Sequence, residues 1–270
     1  MTLIMGVMRV MNFTHGCLLL LGSYITYFLF TDFGVDPILS LLVVIPVLFG
    51  VGVLFYYIVV HPVLTRPFLE DNTMLLSFGG FLVVYNLFTA FWTDNLRGVN
   101  SSYLNTQITA TTPWGSFVLS QAAIIGIVIC FAAVVFLMLF LHYTSLGRAM
   151  RAASQDLNTA RLMGVKVRRI YAISLGISSS LAGVAGVVVA MQFLFSPDYG
   201  FPYLLKAFGV ILMGGMGSVT GTVWGGLSLG VAESMTTYVN GGEYGIWASG
   251  VAFAVILIAL AVKAFRGTAR

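Results

Sequence analysis

Residues 117–142 read FVLSQAAIIGIVICFAAVVFLMLFLH, and residues 143–169 follow as YTSLGRAMRAASQDLNTARLMGVKVRR. The first run holds no Asp, Glu, Lys or Arg, and it is longer than the roughly 20 helical residues that cross a hydrocarbon core about 30 Å thick. The second holds Arg148, Arg151, Arg161, Lys166, Arg168 and Arg169 against Asp156 alone. Loops rich in Lys and Arg stay on the cytoplasmic side of a membrane, so this pair of segments reads as a spanning helix that ends inside. It sets the fold class: an all-α, polytopic membrane helix bundle.

The rest of the chain repeats the pattern. Of its 270 residues, 59% are hydrophobic and 8% charged, against roughly 25% charged in an ordinary globular domain. Further apolar runs lie near 17–31, 38–60, 73–92, 170–193, 203–231 and 245–262. The chain reads as a single transmembrane domain over 1–270 with one cytoplasmic segment at about 143–169. Counting back from that segment puts Trp92–Ser116 outside, His61–Asn72 inside and Asp32–Pro37 outside. The net charge of +4 reports this topology, and no nucleic-acid partner is expected. Cys17 and Cys130 sit in apolar runs and read as small buried hydrophobes.

Counting forward meets a conflict. Three simple crossings would leave Lys263, Arg266 and Arg270 outside. One run must therefore fail to cross, and the candidate is 203–231, whose middle reads Gly214, Gly215, Met216, Gly217, Ser218, Val219, Thr220, Gly221. Glycine weakens a helix by about 1 kcal/mol per residue, and non-helical backbone at membrane depth persists only where protein or a water-filled cavity satisfies it. A re-entrant, broken-helix hairpin near 203–231 fits, with Glu233 and Glu243 beyond it on the outside. The alternative is one straight glycine-rich helix. Residues 1–11 are too short to span and contain Arg9, so they read either as a half-helix or as the end of a longer segment. Met5-Gly6-Val7-Met8 echoes Met213-Gly214-Gly215-Met216, and Gly22 falls at the offset of Gly230, a hint of duplicated halves.

Small residues recur at fourfold spacing at Ser178, Ala182, Gly186 and Ala190, and at Gly217, Gly221 and Gly225. That spacing marks tightly packed helix faces. Intramembrane carboxylates are nearly absent; Lys206 and Glu233 lie near segment ends, where snorkelling to the interface is the default for a lysine. None of Lys166, Lys206 and Lys263 follows a glycine, which excludes a phosphate-binding loop of the Walker type. His15, His61 and His142 lack metal-ligand spacing, so no metal site is assigned. Asn12–Thr14 and Asn100–Ser102 match a glycosylation pattern that arises often by chance. The cytoplasmic segment reads as one amphipathic helix from about Arg148 to Met163 with a Gly164 stop, more than a plain loop needs and consistent with a docking element.

Three blocks, MGVMRVMNFTHGCLLLLGSYITY, GRAMRAASQDLNTARLMGVKVRRI and LLKAFGVILMGGMGSVTGTVWGGLSLGVAES, resemble the permease subunits of bacterial ATP-binding-cassette importers for branched-chain amino acids, of the LivH type. The resemblance implies a multi-pass subunit of the bacterial inner membrane, surrounded by membrane lipid. Its implied partners are a second related permease, two cytoplasmic ATPase subunits and a periplasmic solute-binding protein. It also implies that the chain carries out no covalent chemistry and holds no cofactor, with ATP bound and hydrolysed on the partner subunits. Gly147–Gly164 then corresponds to the ATPase-coupling element, with Arg148, Arg151, Ala152, Ala153, Asp156 and Gly164 as its residues. Ala152, Ala153 and Gly164 resemble the alanine pair and glycine of such loops, although Arg151 stands where a Glu is usual and the spacing to the glycine is longer. Asn12, His15, Gly214, Gly215, Gly217 and Ser218 fall in the family's membrane motifs and are expected to shape the translocation path. A spanning helix usually precedes the Met5 block in these permeases. Branched-chain amino acids are the central substrate expectation; urea or short amides, or a self-contained channel or ion-coupled carrier, are the alternatives, and a membrane scaffold is a further rival.

Overall fold

The structure is a computed structural model, and it describes residues 1–8, 10–64, 69–100, 106–112, 115–239, 250, 253–257 and 261. Arg9, Glu243, Lys263, Arg266, Arg270 and most of the 245–262 run lie outside the described residues. The elements are α1 Thr2–Met8, α2 His15–Phe33, α3 Leu41–Phe55, α4 Leu69–Trp92, β1 Gln107–Thr112, β2 Gly115–Ser120, α5 Gln121–Tyr143, α6 Ser145–Gln155, α7 Leu157–Leu162, α8 Val167–Gln192, α9 Gly200–Gly214 and α10 Val219–Val239. Five stretches are long and apolar enough to cross a membrane: α2, α3 extended through a π-turn and a 3-10 turn to Val63, Asp71–Trp92 of α4, α5 and α8. These correspond to five of the runs read from sequence.

Helix α8 is the hub, packed against α2, α3, α5 and α1. The small-residue stripe explains why. Ser178, Ala182, Gly186 and Ala190 are all buried, and at Gly186 the α2 backbone at Leu19 and Ser23 comes so close that no side chain fits. A Cβ on Gly22 would sit 2.7 Å from Gly183 Cα. With the backbones this near, polar side chains reach across: Ser23 donates to the Gly186 carbonyl at 2.8 Å and Ser180 to the Ile45 carbonyl at 2.9 Å. In lipid, where no hydrophobic force drives helices together, close packing of this kind holds a bundle. Among the described residues the two larger cores lie around Tyr24, Leu20, Val187 and Phe195 and around Ile4, Tyr56, Met150 and Leu175 at the Arg-rich end, with a small third around Leu229 and Ile256.

At the opposite end, Arg97 stacks over Tyr24, Tyr27 and Phe28 and donates to the Trp92 carbonyl at 2.7 Å. The loop expected between Trp92 and Ser116 contains β1, which pairs antiparallel with β2, Gln107 opposite Ser120. This two-stranded hairpin is an addition to the all-α expectation. Cys17 is buried, as expected, but Cys130 is exposed; α5 packs along one side only, and Cys130 lies on the other.

The predicted cytoplasmic helix is two helices. The chain breaks at Asp156, which adopts an extended conformation (φ −147°, ψ 108°) and caps α7 by accepting from the Asn158 and Thr159 amides. An aspartate at this place competes with helix continuation by offering its own oxygens to the next turn. Gly164 ends α7 with φ +83°, and the Val165 amide returns to the Ala160 carbonyl at 3.1 Å, a glycine stop of the expected kind.

The 203–231 run is not one straight helix. Helices α9 and α10 pack on each other and are joined by a turn at Gly215–Ser218. Gly215 and Gly217 have φ of +93° and +83°, a region L-residues rarely adopt. Ser218 Oγ accepts from the Gly221 amide at 3.1 Å and so caps α10. Near the turn, Gly214 and Gly221 touch backbone to backbone. Farther from it, Lys206 and Glu233 form an ion pair at 2.8 Å. The lysine is therefore held by the neighbouring helix and does not snorkel, because the tight glycine seam brings the two side chains into reach. Helix α1 is short and buried, and α1, bend, α2 parallels α9, turn, α10 in order, with Met5–Met8 closing α1 and Met213–Met216 running from the end of α9 into the turn.

Candidate functional site

Between α1 and α2 the chain leaves helical geometry, and α4 holds the break. Ser77 Oγ accepts from the Phe13 amide at 3.2 Å and lies within hydrogen-bond reach of the Met11 carbonyl; Thr14 Oγ1 donates to the Ser77 carbonyl at 3.0 Å. Asn12 and His15 flank this bend and are 2% and 9% exposed. Asn12 Oδ1 accepts from the Thr14 amide at 3.0 Å. Asn12 Nδ2 and His15 Nδ1 are buried with no hydrogen-bond partner among the described residues. Such atoms cost about 1–3 kcal/mol each, so each calls for an explanation, with a bound water or ion among the usual ones. Burial of Asn12 also rules out its glycosylation.

Next to the bend lies an open cavity of about 660 Å³, lined by Met5, Gly6, Met11, Asp71, Met74, Ser154, Met216 and Gly217. It joins α1, the start of α4, the end of α6 and the α9–α10 turn. A second, small cavity of about 50 Å³ brings Gly6, Met150, Arg151, Ser154 and Gly217 together. The contact between α1 and the turn is tight, since a Cβ on Gly6 would sit 2.9 Å from Gly217 Cα.

The candidate residues fall into place as follows. Arg151 of the coupling group and Gly217 of the path group line one cavity. Met150 and Ala153 turn inward with Gly147, forming the buried face of α6, while Arg148, Arg151, Ala152 and Asp156 are exposed. Ala153 therefore faces the bundle. Arg148 donates to the Tyr143 carbonyl at 3.1 Å. Hydrogen bonds from the Thr159 hydroxyl and from the Thr159 and Asn158 amides hold the Asp156 carboxyl below its usual range. Gly214 and Gly215 shape the turn without lining the larger cavity, and Ser218 caps α10.

Sequence reasoning passed over Leu162 and Met163, which are 88% and 81% exposed at the tip of α7. Two large apolar residues directly before a glycine stop were the available signal. It also passed over Asp71 and Ser77, whose roles depend on contacts between α4 and the α1–α2 bend that local sequence does not announce.

The profile of a family described as "Branched-chain amino acid transport system / permease component" matches residues 1–260. The high-affinity branched-chain amino acid transport system permease protein LivH of Salmonella typhimurium is 30% identical over 97% of this chain and 86% of its own length. The corresponding protein BraD of Pseudomonas aeruginosa is 28% identical, covering 96% and 86%. The probable branched-chain amino acid transport permease protein LivH of Methanocaldococcus jannaschii is 27% identical, covering 88% and 75%. No solved structure matches.

Proposed function

Because the chain belongs to the permease component family of branched-chain amino acid transport systems, we propose that it works in the bacterial inner membrane as one half of a permease pair, driven by two cytoplasmic ATPase subunits and fed by a periplasmic binding protein. Branched-chain amino acids are its substrates in this reading, following the names of its relatives.

The observation that carries the mechanism is a continuous packed route. The exposed tip of α7 joins α6; α6 packs on α1; and α1 meets the α9–α10 turn at Gly6 and Gly217. Interiors this dense move as discrete packed bodies and deform little. ATP-driven closure of the ATPase pair draws the α6–α7 segment with it, α1 follows, and the turn beside the 660 Å³ cavity shifts, so that the cavity opens or closes on the cytoplasmic side. Leu162 and Met163, both exposed, offer apolar surface to that contact, methionine being enriched in interface cores. Helix α9, 15 residues long and so about 22 Å, is short of a full crossing, which supports reading the hairpin as re-entrant. In this reading Asn12 Nδ2 and His15 Nδ1, buried with no hydrogen-bond partner among the described residues, offer polar partners to a zwitterion at the helix break.

The test is co-purification of the tagged chain with its ATPase subunits. Wild type is expected to retain them. Leu162→Asp and Gly164→Trp are expected to lose most of the associated ATPase while still inserting in the membrane. Retention by both variants would remove the docking surface assigned to α7.

A further inference from the structure

A third cavity, of about 680 Å³, opens at the Arg-rich end between the close of α3 and the start of α8, lined by Leu64, Arg161, Lys166, Val167, Arg168, Arg169 and Tyr171. Its charge is one-sided. Four cations and no carboxylate line it. The sole acid of the 143–169 segment, Asp156, spends its carboxylate on Asn158 and Thr159, and none of the four cations makes an ion pair with a described residue. The first turn of α8 forms part of the wall, so the positive end of that helix dipole adds to the same field.

We propose that this cavity binds the phosphate headgroup of an anionic phospholipid of the cytoplasmic leaflet. Position selects the lipid over other anions. The cations stand where two neighbouring spans leave the hydrocarbon, and the walls from Leu64, Val167 and Tyr171 are apolar and continuous with those spans. The end of α3 that leads into Leu64 carries exposed Tyr57 and Ile58, a surface suited to an acyl chain. A free phosphate has no use for that surface. The acidic face of a protein partner would meet the apolar tip of α7 first. Basic pockets between spans on the cytoplasmic side are sites of this type. The inference needs only the membrane orientation and is independent of the transported substrate.

The experiment uses the purified full chain and counts phospholipids retained through delipidation by native mass spectrometry, with phosphatidylglycerol and phosphatidylcholine offered in equal amounts. Wild type is expected to keep phosphatidylglycerol selectively. Arg161→Gln/Lys166→Gln and Arg168→Gln/Arg169→Gln are each expected to lower that selectivity by roughly 25-fold, about fivefold per cation. Arg168→Lys/Arg169→Lys is expected to keep most of it. Circular dichroism and gel filtration establish that the variants fold, which is expected of substitutions at exposed positions. Undiminished selectivity in both glutamine pairs would overturn the proposal. So would equal retention of the two lipids by wild type, or displacement of phosphatidylglycerol by millimolar inorganic phosphate, which would mark a free-anion site. Loss of the ATPase from the glutamine variants with lipid retention unchanged would assign the surface to an acidic protein partner instead.

Discussion

Asp156 shows how one side chain shapes the coupling segment. Sequence periodicity ran a single helix through it, because the residues on either side suit a helix and an aspartate is tolerated in one. The structure uses its oxygens on the amides of the following turn, and the segment becomes two helices with an elbow between them. That choice depends on α6 and α7 each burying a separate small face, Met150 and Ala153 on one and Ala160 on the other, which local sequence does not reveal. The hydrogen bonds hold the Asp156 carboxyl below its ordinary value of 3.8. A group whose folded pKa is depressed stabilises the fold above the unfolded value and loses that contribution as pH falls through the folded one. The elbow is therefore expected to be intact at neutral pH and to loosen only as pH falls below 3.8 toward the depressed folded value. The protection factors of the Asn158 and Thr159 amides, which correct for the slower intrinsic exchange in acid, should fall there, and Asp156→Ala should show the same low protection at pH 7 while Asp156→Asn, which keeps a capping oxygen, stays close to wild type. Equal exchange in all three at pH 7 would show that the cap does not hold α7.

Among elements, the break between α9 and α10 was legible in the glycines, since Gly214, Gly215 and Gly217 could not continue a helix cheaply. What could not be read was that Lys206 and Glu233 face each other across it. Each looks like a lone charge near a segment end until the glycine seam fixes the register of α9 against α10. Removing one partner of such a pair leaves an uncompensated charge in a poorly hydrated place, whereas removing both does not. Lys206→Met and Glu233→Leu are each expected to lower the stability of the detergent-solubilised chain more than the double variant does, and the swap Lys206→Glu/Glu233→Lys is expected to recover most of the loss. Additive single effects with no recovery on swapping would show the two charges to be independent. The same logic separates the two helix breaks. The α9–α10 turn is written in its own glycines, but the α1–α2 bend, for which Arg9 and Asn12 give only a partial local signal, is held by Ser77 from another helix.

At the scale of the molecule, the spans, the basic segment and the packing stripe on α8 all follow from composition, charge placement and small-residue spacing, and each of these is a local property of the chain. The proposed coupling route is not local. It exists because α1 lies between α6 and the turn at Gly217, three pieces separated by most of the sequence. Resemblance supplied the two ends of that route, the coupling element and the path, and the fold supplies the contact between them. The most direct test is uptake of radiolabelled leucine into vesicles holding the chain with its permease, ATPase and binding-protein partners, comparing wild type with Gly217→Val, in which the α1–turn contact cannot form. The expected result is ATP-dependent uptake by wild type, and in Gly217→Val an assembled complex that still hydrolyses ATP but moves at least tenfold less leucine. Leucine uptake by the chain alone, without ATPase subunits or ATP, or full uptake by Gly217→Val, would contradict the account.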